Sequence, residues 1–126
     1  MHIKITRIFR QLAVAITLSV LGAQAMGAGA LAIDGHQGGQ YGFNYNVAKM
    51  DQAETKALKD CGKGCQVVLR FESGCAAFAA DQSTESKAYG WGALATSSES
   101  QARAIASCEA RGGKSCKIKA SGCNKN

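Results

Sequence analysis

Tyr41-Gly42-Phe43-Asn44-Tyr45 returns further along the chain as Tyr89-Gly90-Trp91-Gly92-Ala93. An aromatic residue, a glycine and a second aromatic at a spacing of 48 mark a duplication once their surroundings are compared. Ala57-Leu58 followed by Cys61 matches Ala104-Ile105 followed by Cys108, Gly74-Cys75 matches Gly122-Cys123, and Asp34 matches Asp81. Cys65 and Cys116 are offset by 51, which requires a longer loop after the second helix. Four matches in one order exceed what chance supplies, so the chain reads as two repeats, about 30–75 and 76–123.

Each repeat has the same order of periodicities. Ala30 to Asp34 is a short apolar run, Gly35 to Gln40 a glycine-rich loop, and Tyr41, Phe43 and Tyr45 alternate with smaller residues as in a half-buried strand. Met50, Ala53, Ala57, Leu58 and Cys61 fall on one helical face, with Asp51 and Glu54 as a capping box and Gly62 as the stop. Cys65, Val67, Leu69 and Phe71 then alternate with Gln66, Val68, Arg70 and Glu72. The second repeat gives strands at Ala76–Ala80 and Tyr89–Ala95, a helix capped by Ser98 with Gln101 and ended by Gly112-Gly113, and a strand from Cys116 to Ser121. This is an α+β pattern. Neither repeat can bury its apolar face alone, so the reading is one mainly antiparallel sheet with two helices on one face.

The region before the repeats has a different character. Lys4, Arg7 and Arg10 precede an uncharged run from Gln11 to Ala25, whose apolar part, Leu12 to Ala23, is too short to span a bilayer and which ends in the small-x-small triplet Ala23-Gln24-Ala25. Residues 1–25 are therefore expected to be a cleaved secretory signal, with 26–126 as a single domain and no membrane span in the mature form. Cleavage after Ala30 is the alternative. Three of the 15 basic residues leave with the signal and none of the nine acidic ones, so the mature charge falls to about +3. Arg103, Arg111, Lys114, Lys117, Lys119 and Lys125 face only Glu109 near the C-terminus.

Six cysteines in an exported chain are expected as structural disulfides, and six allow 15 pairings. Repeat symmetry narrows these without deciding. Cys61–Cys65 and Cys108–Cys116 each tie a helix end to the following strand, leaving Cys75–Cys123 to join the halves. Thioredoxin-type spacing is absent, and zinc would need reduced thiolates, so no cofactor or metal is expected.

No catalytic set is convincing. Asp34, His36 and Asp81 are the candidates, but sequence adjacency is not geometry, and strand-ending aspartates commonly brace turns. The five aromatics at Tyr41, Phe43, Tyr45, Tyr89 and Trp91 read as core on one face. The function expected is therefore a non-enzymatic binding module of inhibitor or immunity type, with Lys117, Lys119, Arg111 and Lys114 as candidate contacts for another exported protein or an acidic envelope polymer. Nucleic acid is not expected at this charge and address. A small hydrolase acting on an envelope polymer is the alternative.

The ordered set Ala30-Leu31-Ala32-Ile33, Tyr41-Gly42-Phe43-Asn44-Tyr45, Ala57-Leu58 with Cys61, Cys65-Gln66-Val67-Val68, Gly74-Cys75-Ala76-Ala77, Tyr89-Gly90-Trp91-Gly92 and Cys123-Asn124 resembles the bacterial DUF4189 domain. Its members are small exported proteins, so the resemblance implies a periplasmic or secreted address. It transfers no catalytic residue. The chain departs from the family pattern at Ser121-Gly122 and in the Asp34-Gly35-His36 loop.

Overall fold

The computed structural model describes residues 27–35, 39–83 and 85–125. The expected signal at 1–25 and His36 lie outside the described residues. Both repeats have the predicted order: β1 (Ala28–Asp34), β2 (Tyr41–Val47), α1 (Met50–Cys61) and β3 (Cys65–Phe71), then β4 (Cys75–Asp81), β5 (Tyr89–Leu94), α2 (Ser97–Ala110) and β6 (Cys116–Cys123). The α+β, disulfide-stapled class holds.

The layering differs from a single sheet with both helices on one side. There are two three-stranded antiparallel sheets, ordered β2-β1-β3 and β5-β4-β6. The cause lies in the central strands, which are apolar on both faces. On one face Ala30 and Ala32 meet Ala53, Ala57 and Cys61 of α1, while Ala77 and Ala79 meet Ala104 and Cys108 of α2. On the other, Leu31, Ile33 and Phe78 form a shared core with Tyr41, Phe43, Leu69, Tyr89 and Trp91. Small residues let each helix sit close on its own sheet, and bulky ones join the sheets. The helices are thus on opposite outer sides of a two-sheet sandwich.

Bulges explain the rest of the departure from simple alternation. Leu31 pairs with Leu69 but Ala32 with Val67, so Val68 is an extra residue; Phe78 pairs with Ala120 but Ala79 with Ile118, making Lys119 its equivalent. Each bulge reverses the strand's parity. Cys65, Val67, Cys116 and Ile118 face the helices, whereas Leu69 faces the other sheet and Phe71 stacks on Phe43 at 6.0 Å. A third bulge gives β2 one residue more than β5, because Ala30 pairs with Asn44 and Ala28 with Val47, against Ala77 with Gly92 and Cys75 with Leu94. Asn46 takes up the excess at φ 57°. That insertion is why the repeat spacing drops from 48 at the start of β2 and β5 to 47 in the helices.

The caps also shift. Lys49 caps α1 without a side-chain bond, and Asp51 instead lies in the first turn, accepting from Gln52 N–H. The second helix has a reciprocal box two residues before the expected one: Glu99 N–H donates to Thr96 Oγ1, and Thr96 donates to Glu99 Oε1. Gly62 and Gly112, both at positive φ, end the helices as predicted.

The disulfides are Cys61–Cys65, Cys75–Cys123 and Cys108–Cys116, the pairing reasoned from the repeats. One inference about them is corrected. Cys75 opens β4 and lies directly opposite Cys123 in the β4–β6 ladder, so the long bridge is internal to the second sheet and does not join the halves. The offset of 51 set by Cys65 and Cys116 runs on through β3 and β6, which makes Gly122 the equivalent of Phe71. The apparent match of Gly74-Cys75 to Gly122-Cys123 is not a structural one.

Asn124 joins the two halves instead. Buried after β6, it donates from Nδ2 to Phe71 O (2.9 Å), accepts at Oδ1 from Asn46 N–H (2.7 Å), and its N–H bonds Gly74 O. Asn124→Ala leaves Phe71 O and Asn46 N–H of the first repeat without their partner from the second and is expected to cost about 2 kcal/mol in urea unfolding. A loss below about 0.5 kcal/mol, the range of an ordinary surface change, would show that the clasp is idle.

Candidate functional site

The chemistry-bearing residues gather where β4 ends. Ala80 is flanked in the sheet by Tyr89 on β5 and Lys117 on β6, and Asp81 lies opposite Cys116. Ala80 stands where the first repeat has the buried Ile33, and the smaller side chain leaves a hollow of about 340 Å³ beside Tyr41, Asp81, Gln82, Ser86 and Lys119. Tyr41 packs its ring 5.0 Å from Phe78 and donates its hydroxyl to Lys119 O. Lys119 Nζ reaches Gln82 Oε1 at 3.2 Å.

Asp81 braces this end. Its Oδ1 accepts from Ser83 N–H and Ser115 N–H and its Oδ2 from Lys114 N–H, each at 3.1 Å. Hydrogen bonding from the Ser86 side chain, then from the Ser83 and Lys114 backbone, holds its carboxyl far below the usual carboxylate range. A carboxylate so held stays ionised and has no proton to give as a general acid. Its equivalent, Asp34, has a buried Oδ1 with no hydrogen-bond partner, and no hydrogen bond links the two aspartates among the described residues.

Around Asp81 stand the four expected cations. Lys117 and Lys119 are exposed on β6. Lys114 is tied to Asp81 through its backbone. Arg111 caps α2 and lays its guanidinium over Tyr89 (4.4 Å from Cζ to ring centroid) and Trp91 (5.3 Å), rings that are themselves stacked 6.0 Å apart. Lys125 is not part of this group. It lies past the far end of β6, with its N–H on Asn46 Oδ1. The only ion pair among the described residues, Arg70 with Glu54, is elsewhere.

The aromatics divide. Tyr41, Phe43, Tyr89 and Trp91 are half-buried against the shared core, while Tyr45, at 45 % exposure, covers Gly122. At the opposite corner Phe71, Glu72, Gly74, Ala93, Leu94 and Ala95 line a groove of about 600 Å³ between the end of β3 and the end of β5. Sequence reasoning missed this groove and the Arg111 stack. The available signal was Ala93 standing where the first repeat has Tyr45. A hollow on the outer face of α1, along Asp51, Thr55 and Lys59, is bounded by that one helix and holds no candidate residue.

Among the described residues no cluster of three or more His, Cys, Asp or Glu is arranged for a metal, and no helix is long and apolar enough to cross a membrane. Three disulfides are the mark of an oxidising compartment outside the cytoplasm. No curated protein and no solved structure matches the chain. A family model, described as a domain of unknown function, matches residues 28–123, from the first residue of β1 to the last of β6, and the chain therefore belongs to the DUF4189 family.

Proposed function

We propose that the protein is a non-enzymatic binding module, of inhibitor or immunity type, that works in the bacterial periplasm or outside the cell and holds an acidic segment of another exported protein. One observation carries this reading: Arg111, Lys114, Lys117 and Lys119 surround the end of β4, where the nearby carboxylate of Asp81 is engaged by backbone N–H groups instead of by their side chains. Cations with no anionic partner among the described residues, on a disulfide-stapled surface, meet a negative partner at little conformational cost. The alternative, a hydrolase using Asp34, His36 and Asp81, is weakened because Asp81 is committed to bracing its turn.

A glutamate-rich peptide probes the basic rim directly. The wild-type protein is expected to bind it more weakly at 150 mM than at 50 mM salt, since exposed charges are screened over about 8 Å at the higher value. Lys117→Glu with Lys119→Glu is expected to weaken binding at least about tenfold, the equivalent of about 1.4 kcal/mol. Unchanged affinity in the double reversal would refute the reading.

A further inference from the structure

We infer that the outer edge of β5 is the docking line for an extended acidic peptide segment, which adds a strand there, sets a carboxylate on Arg111 and lowers an apolar side chain into the groove beside Leu94. The inference rests on the binding-module reading above and specifies its ligand. Three observations on one strand converge on it.

First, among the described residues β5 pairs only with β4, and no described strand lies along the other side of its backbone. Asp81 N–H donates to Ala88 O, which sets the antiparallel alternation: Gly90 and Gly92 turn their polar backbone groups toward β4, and Tyr89, Trp91 and Ala93 turn theirs outward. A polypeptide has the alternating donors and acceptors that such an edge needs, and a polysaccharide does not.

Second, the start of this edge carries a held cation. Arg111 is exposed, its guanidinium stands over the Tyr89 and Trp91 rings, and no carboxylate pairs with it among the described residues. A guanidinium fixed by two rings keeps its fork of donors available for bidentate contact with a carboxylate. Lys117 lies two strands across in the same row, through Ala80, and adds positive potential without occupying the edge.

Third, the other end of the edge opens into the groove of about 600 Å³ lined by Phe71, Ala93, Leu94 and Ala95. The corresponding corner of the molecule is filled by the chain itself, with Tyr45 lying over Gly122. The span from Tyr89 to Ala93, which lines the groove, is about 13 Å at 3.3 Å per residue, or four positions. A ligand strand therefore fits best with its acidic residue four positions from its apolar one, both on the same face.

The test uses the oxidised mature protein and a blocked peptide of alternating threonine and valine, with glutamate at its second position and leucine at its sixth. Trp91 is the only tryptophan of the chain, so its fluorescence reports on this edge. A saturable change in Trp91 emission is expected. Replacing the peptide's glutamate by glutamine, N-methylating the backbone that faces β5, or making Arg111→Lys, which keeps the charge but loses the fork, should each weaken binding at least about tenfold. Equal binding after N-methylation or in Arg111→Lys, or binding of polygalacturonate as tight as that of the peptide, would overturn the assignment. If Lys117→Glu with Lys119→Glu still weakens capture of acidic peptides while those changes do nothing, the basic rim stands and the strand-edge mode falls. If none of the variants matters, both fall.

Discussion

Gly42→Ala and Gly90→Ala are each expected to destabilise the oxidised domain by about 3 kcal/mol or more, at the upper end of overpacking costs. A Cβ at Gly42 would overlap the backbone carbonyl of Ala57, and one at Gly90 would lie 2.5 Å from Ala104 O and closer still to Cys108 N. These atoms are helix backbone, which cannot swing aside like a flexible side chain, so the whole helix must lift. Ala53 and Ala57 on α1 and Ala104 and Cys108 on α2 are fully buried against the sheets, and lifting either helix opens that contact along its length. Against a total stability of about 5 to 15 kcal/mol, one methyl group would then remove a large share. Gly39→Ala is the control, since its nearest neighbour among the described residues would be Asp34 Oδ2 at 3.8 Å, and it should leave the urea midpoint nearly unchanged. Loss of less than about 1 kcal/mol in both helix-facing variants would refute the account.

The same two glycines show what could be read from the chain. Their recurrence inside an aromatic pair identified the repeat, and period-two and helical spacing located every strand and helix to within about two residues. Parity was harder. Alternation alone assigned Leu69 and Phe71 to the face of Cys65, but the bulge at Val68 turns them into the space between the sheets. A bulge leaves no mark in hydrophobic periodicity when both faces are apolar, and the two-sheet arrangement was hidden for the same reason. In hindsight the alanines at 30, 32, 77 and 79, set against Leu31, Ile33 and Phe78, encode one close and one wide interface. The equivalence of Gly74-Cys75 and Gly122-Cys123 misled because the insertion of four residues after α2 moves the true offset from 47 to 51, so a match at 48 is accidental.

For the candidate site, composition revealed the concentration of cations, because charge is legible residue by residue. The ladder then brings Lys117 beside Ala80 and Ala80 beside Tyr89, across separations of 37 and nine residues. The stack of Arg111 on Tyr89 and Trp91 depends on where α2 crosses the sheet, which no local pattern specifies. Lys125 shows the converse, since nearness in sequence to the other cations does not place it with them: β6 carries it to the opposite end of the sandwich.

Removing the Cys75–Cys123 bridge by paired alanine substitution is expected to cost about 4 kcal/mol, the most of the three disulfides. It closes a loop with a sequence separation of 48, against 8 for Cys108–Cys116 and 4 for Cys61–Cys65. In the chain-entropy model the cost of releasing a crosslink grows with the logarithm of loop length, giving about 4, 2.6 and 2 kcal/mol in that order. The long loop contains β4, β5, α2 and β6, so the bridge makes the second unit a closed ring and leaves the first unit held covalently only by its short clasp. Unfolding should nevertheless remain a single transition, because Leu31 and Ile33 of the first sheet share one core with Phe78 of the second. Urea unfolding of the three paired variants checks both parts of the claim. An equal or greater loss from Cys61 and Cys65 would refute the loop-length ordering, and two separated transitions would show that the shared core couples the sheets less tightly than its burial implies.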